Sequence, residues 1–156
     1  MNTDRTQYLT QAKHEELRQE IKHLQQQVIP ELAKRIDDAR QMGDLSENAE
    51  YHAAREEMAW THSRVKKLAN ILQNVALISE EKKTSQVVEI GSSIVVSVNG
   101  KEKTYYIVGA QEADPSSGKI SNESPLGEAF LGRRKGENIE IQVPVGKQIY
   151  TIVDIM

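Results

Sequence analysis

The chain has 156 residues, 38% hydrophobic and 28% charged, with a formal net charge of −3 and no cysteine. That composition is globular and allows one domain or two small ones; without thiols, a disulfide framework and a thiolate metal site are both excluded. The negative balance is unsuited to coating nucleic acid by bulk electrostatics, so any such contact must be local or arranged by a larger partner.

No apolar run approaches the roughly 20 residues of a membrane helix, so no membrane partner is expected. The polar start, Met1 to Gln11, lacks the apolar core of a secretory signal. A reducing cytoplasm is the expected setting.

From Thr10 to Ile78 the chain holds one proline, one glycine and a high density of Glu, Gln, Lys, Arg, Leu and Ala, all good helix formers. Apolar residues recur at Leu17, Ile21, Leu24, Val28, Leu32, Ile36 and Ala39, spaced four, three, four, four, four and three. This is a helical stripe with near-heptad spacing in part. Pro30 interrupts it and is expected to kink or loosen the helix. A second stripe reads Ala49, Ala53, Trp60, Val65, Leu68, Leu72 and Val75, which places Trp60 in a buried seam.

Between the stripes lies Met42-Gly43-Asp44-Leu45-Ser46-Glu47-Asn48. Gly43 suits a helix C-terminus, and Asp44 or Ser46 can cap the next helix. So short a connection predicts an antiparallel hairpin. Each arm spans about 30 residues, roughly 45 Å at 1.5 Å per residue, so the tip is expected to stand well out.

A polar linker, Ser79 to Gln86, follows, and the pattern then turns to strands at Val87–Ile90, Ile94–Val98, Thr104–Val108, Asn138–Val143 and Gln148–Ile155. Asn99-Gly100 is a strong hairpin signal, and Pro144-Val145-Gly146 supplies another turn. Ser124 reads as the cap and Pro125 as the first residue of a short helix ended by Gly132. The fold class is therefore α+β. An antiparallel coiled-coil hairpin spans residues 1–80, and a small β-rich domain spans 81–156.

Asp44 and Glu47 are three residues apart at the turn between the arms, with Glu50 three further on. Such carboxylates suit a hard cation such as Mg²⁺, yet two ligands make only half a site. Spacing alone leaves two readings open: solvated caps, or a partial metal site completed from elsewhere. His52 lacks a second histidine at ligand spacing, so zinc is not expected. Tyr51 is expected to pack across the hairpin. Lys66-Lys67 and Arg133-Arg134-Lys135 read as solvated charge runs.

The run Gly43-Asp44-Leu45-Ser46-Glu47-Asn48-Ala49-Glu50-Tyr51-His52-Ala53-Ala54-Arg55-Glu56 closely resembles the coiled-coil tip of bacterial Gre-family, GreA-type transcript cleavage factors. The likeness extends to Leu17-Arg18-Gln19-Glu20 and Pro30-Glu31. In the second half it takes in Tyr106-Ile107-Val108-Gly109, Glu112-Ala113-Asp114, Gly118-Lys119-Ile120-Ser121 and Ser124-Pro125-Leu126-Gly127. The resemblance implies an FKBP-like second domain and a non-enzymatic partner of RNA polymerase, acting as a monomer. Its hairpin would enter the polymerase secondary channel, where Asp44 and Glu47 help hold a catalytic Mg²⁺ shared with the polymerase active site. The polymerase then cuts the extruded 3′ segment of backtracked nascent RNA. By the same resemblance Arg40 and Arg55 contact that RNA, although either can equally be a solvated helix-face pair. Ser124, Pro125 and Leu126 lie where the second domain docks on the polymerase.

Two rival readings share the architecture. One is a Gre-fold inhibitor that occupies the channel without promoting cleavage; the presence of both tip acids favours cleavage. The other is an FKBP-like isomerase or chaperone, for which residues 81–156 offer only Tyr105, Tyr106, Phe130 and Tyr150 as pocket lining.

Overall fold

The computed structural model describes residues 6–43, 47–78, 85–143 and 146–156. The chain forms two compact units: His14–Asn74, and Met1–Lys13 together with Val75–Met156. The sequence-based division at residue 80 falls outside the described residues. The compact units divide instead at 13/14 and 74/75, because short strands from both ends of the helical region join the sheet unit.

The helical unit begins in α1 (Gln11–His23), passes through a π-helical turn (Leu24–Val28) into α2 (Ile29–Gln41), and returns in α3 (Ala49–Gln73). Pro30 sits in the first turn of α2. It lacks an N–H and its ring crowds the carbonyl four residues back, and the wider turn just before it relieves both constraints. The turn also accounts for the spacing of the stripe. Strict four-three alternation from Leu17 would reach its seventh position after 21 residues, whereas Ala39 lies 22 residues on. A π-helical turn takes up one extra residue and returns the stripe to the same face. Leu17, Leu32 and Ala39 are accordingly buried.

On α3 the buried residues are Ala54, Thr61, Leu68 and Ile71. With the half-buried Tyr51, Met58, Val65 and Leu72, the seam reads 51, 54, 58, 61, 65, 68 and 72, strict three-four alternation. Trp60 falls beside this seam and is 73% exposed, which corrects the expectation of a buried tryptophan; Ala49 and Ala53 are exposed as well. Ion pairs Arg35–Glu50 and Arg64–Glu20 match rising numbers on one arm with falling numbers on the other, as an antiparallel hairpin requires.

The sheet unit has two sheets. Strand β1 (Gln7–Leu9) pairs in parallel with β2 (Val75–Leu77), neither of which the sequence patterns suggest. Gly109 packs so close to β1 that a Cβ on it would lie 1.7 Å from the Tyr8 carbonyl oxygen. The Glu112 carboxylate accepts from the Thr10 N–H at 2.7 Å and from its hydroxyl at 3.2 Å.

The larger sheet has the order β5-β4-β3-β7-β6. Its strands are β3 (Ser93–Val98), β4 (Lys101–Val108), β5 (Lys119–Ser121), β6 (Asn138–Val143) and β7 (Gly146–Ile155). Asn99 (φ 51°) and Gly100 (φ 74°) both take positive φ between β3 and β4, as a two-residue type I′ hairpin demands. Of the expected second turn, Pro144 and Val145 lie outside the described residues.

The expected strand Val87–Ile90 is not a strand. Val87 makes one isolated bridge to Arg134, and Gly91, at φ 97°, turns the chain immediately afterwards. Helix α4 (Pro125–Phe130) sets Phe130 into a core of Val88, Ile94, Val96, Ile107, Ile139, Ile152 and their neighbours. The rings of Phe130 and Tyr150 meet edge to face at 5.7 Å, a favoured aromatic geometry.

Candidate functional site at the hairpin turn

Helix α2 ends at Gln41, where the Met42 N–H donates to the Ala39 carbonyl at 3.2 Å. Gly43 follows at φ 119°, a conformation that glycine adopts at little cost. The cap of α3 is Asn48, not Asp44 or Ser46: its side-chain oxygen accepts from the Tyr51 N–H at 3.1 Å. The other half of the same amide reaches the opposite arm, Nδ2 donating to the Ala39 carbonyl at 2.8 Å. One side chain thus starts α3 and ties it to the end of α2. The sequence offers Asp44 and Ser46 as caps, but only a structure shows which residue takes the extended cap conformation.

Asp44, with Leu45 and Ser46, lies outside the described residues. Glu47 immediately precedes the cap, is exposed, and pairs with no basic group among the described residues. Glu50 differs. Arg35 donates to it through Nε at 3.0 Å and Nη2 at 2.8 Å, and to Glu57 through Nη1 at 2.8 Å. These contacts, with Glu50 foremost, raise the Arg35 pKa above its usual value. Arg35, which no local pattern singles out, holds Glu50 in an ion pair between the two arms.

The donor set fits a hard, oxygen-seeking cation in kind and falls short in number. Among the described residues no three His, Cys, Asp or Glu groups converge to hold a metal.

Arg40, in the last turn of α2, is exposed. Arg55 is exposed and lies over the Tyr51 ring, 5.7 Å from its centroid, a cation–π contact. Tyr51 is half-buried, and His52 beside it is exposed. The two arginines flank the turn from opposite arms.

In the sheet unit, Ser124 caps α4 by accepting from the Gly127 N–H at 3.1 Å while its hydroxyl donates to the Ser121 carbonyl at 2.7 Å. A Cβ on Gly127 would come within 2.0 Å of that same Ser121 oxygen, so the turn closes on a glycine. Pro125 is exposed, whereas Leu126 packs against the core. Of the three expected docking residues, Ser124 and Leu126 thus both have structural duties, as helix cap and core packing, and Pro125 is the exposed one.

A long helical hairpin with a charged turn, carried on a chain that also builds a small capped sheet unit, defines a transcription elongation factor once its sequence is compared. The family model for the N-terminal part of transcription elongation factors matches residues 7–77, and the GreA/GreB C-terminal model matches residues 83–156. The chain belongs to the GreA/GreB family of transcription elongation factors.

It is 42% identical over 149 residues to transcription elongation factor GreA of Geobacillus kaustophilus, covering 94% of each chain. To the GreA of Bacillus cereus it is 39% identical over 157 residues, covering 99% of each. Among solved structures, GreA factor homolog 1 of Thermus thermophilus is 27% identical with a TM-score of 0.45, spanning 97% of this chain and 99% of its own. A role in transcription elongation follows from the family. Among the described residues no helix is long and apolar enough to cross a membrane.

Proposed function

We propose that this protein is an accessory factor of bacterial RNA polymerase that inserts its hairpin into the secondary channel and stimulates cleavage of backtracked RNA 3′ ends. The observation that carries this reading is the turn itself. Glu47 has no basic partner among the described residues and lies just before a cap that ties both arms together, while Glu50 is paired with Arg35. Asp44 and Glu47 would hold Mg²⁺ jointly with groups of the polymerase. When bound there, the ion activates water and stabilises charge on phosphoryl oxygens. Arg40 and Arg55 are on hand to neutralise the extruded RNA strand. In the sheet unit, Ser124 and Pro125 form the proposed docking corner, held by the Ser124 hydroxyl and shaped by Leu126.

The isomerase reading is disfavoured by the placement of the aromatic residues. Phe130 and Tyr150 are buried in the core and Tyr105 packs against it, leaving Tyr106 exposed.

The test is a purified stalled elongation complex with labelled RNA, incubated with and without the protein. Transcript shortening that depends on the protein supports cleavage stimulation. Inhibition of elongation without shortening would instead support the channel-blocking reading.

A further inference from the structure

Trp60 is the only tryptophan of the chain, and it lies on α3 with 73% of its surface exposed. Tryptophan is on average one of the more buried residue types, and at interfaces it is among the commonest energetic anchors. Its position on the helix is well defined, because Met58 and Thr61 on either side face the seam. Residues 52, 56, 60 and 64 share one column at i, i+4 spacing. One turn C-terminal to Trp60, Arg64 is the cation best placed to stack on the indole. Arg64 is held elsewhere, donating to Glu20 through Nε at 2.8 Å and Nη2 at 3.1 Å. One turn N-terminal lies Glu56, which is exposed and has no partner among the described residues. The result is an uncovered indole face beside an unneutralised carboxylate, about 17 Å along the axis from the first residue of α3.

This pairing suits a guanidinium, which stacks on the ring as a cation–π partner and pairs with the carboxylate at its edge. It is ill suited to nucleic acid, because Glu56 repels phosphate. We propose that Trp60 and Glu56 together receive an arginine side chain from the protein wall of the channel that admits the hairpin. This rests on the polymerase-binding reading above.

The test measures the affinity of RNA polymerase core enzyme, free of nucleic acid, for the intact chain and for Trp60→Ala, Trp60→Phe and Glu56→Lys. Helical circular dichroism and melting temperature serve as controls for folding. Trp60→Ala and Glu56→Lys are expected to weaken binding by at least about tenfold, and Trp60→Phe by less, with folding unchanged. If Trp60→Ala binds within about twofold of the intact chain while the intact chain binds and shortens transcripts, the arginine contact is wrong and the function stands. If the intact chain does not bind polymerase, the functional reading fails and this inference with it. A loss of affinity confined to stalled complexes carrying extruded RNA would assign the indole to base stacking and overturn the proposal. So would an intact chain that sediments as a dimer which Trp60→Ala dissolves, since a second copy would then cover the patch.

Discussion

Replacing Asn48 separates the two duties of one amide. Asn48→Ala removes the cap bond to the Tyr51 N–H and the bond to the Ala39 carbonyl. Loss of a cap costs about 1 kcal/mol. The second bond contributes about 0.5–1 kcal/mol, at the low end of the usual range, because the Ala39 carbonyl still accepts from the Met42 N–H. The expected total is about 1.5–2 kcal/mol. Asn48→Asp keeps the cap acceptor and gains from a negative charge at a helix N-terminus, but it turns an acceptor toward the Ala39 carbonyl and so loses the bond between the arms. It should lie between the wild type and Asn48→Ala. Urea unfolding of the full chain, followed by helical circular dichroism, measures both variants. If Asn48→Ala stays within about 0.5 kcal/mol of wild type, neither bond supports the turn. If Asn48→Asp matches the wild type, the bond between the arms contributes no more than the charge at the helix start returns.

Gly109→Ala places a methyl group on the Tyr8 carbonyl with no flexible side chain to yield; the expected cost is about 2–3 kcal/mol. Faster hydrogen exchange at the Ile78 amide, which donates to Leu9 of β1, would report release of that strand. Asp114 titrates below the usual carboxylate range, chiefly because the Ser116 and Ser117 hydroxyls donate to it. A depressed native pKa gives stability that is present above the unfolded value and lost as pH falls through the native one. Changing both serines to alanine should raise the Asp114 midpoint toward its ordinary value in a carbon-13 NMR titration. The isolated protein should leave labelled RNA intact in Mg²⁺, because the turn offers too few ligands; efficient cutting without polymerase would contradict the borrowed site.

The helical hairpin, the strands β3, β4, β6 and β7, and the capped α4 are all legible in sequence, because periodicity and turn chemistry are local. Pro30 marks the irregular point in the first arm, and the extra residue in its stripe is visible once a π-helical turn is known to absorb it. Trp60 misled, since a large apolar residue invites a place in the seam. Counting from Ala54, Met58 and Thr61 gives the true register, which small and polar seam residues disguise. Strands β1, β2 and β5 have three residues each, too short for alternation to register; they exist because distant backbone meets them. At the turn, the acids are read by resemblance, whereas the roles of Asn48 and Arg35 depend on contacts across the arms that no local pattern encodes.

The central claim is that two carboxylates at the turn lend their charge to a polymerase active site. Asp44→Asn and Glu47→Gln preserve size and hydrogen-bonding capacity while removing that charge. At the exposed Glu47 such a change alters stability by no more than about 0.5 kcal/mol. The decisive measurement is the rate of transcript shortening in a stalled elongation complex at saturating factor, across a Mg²⁺ series. The account predicts that each variant still binds polymerase, that cleavage falls at least about tenfold, or about 1.4 kcal/mol of transition-state stabilisation, and that higher Mg²⁺ partly restores it. If both variants bind normally and shorten the transcript at the original rate, the two acids are solvated caps and the account is wrong.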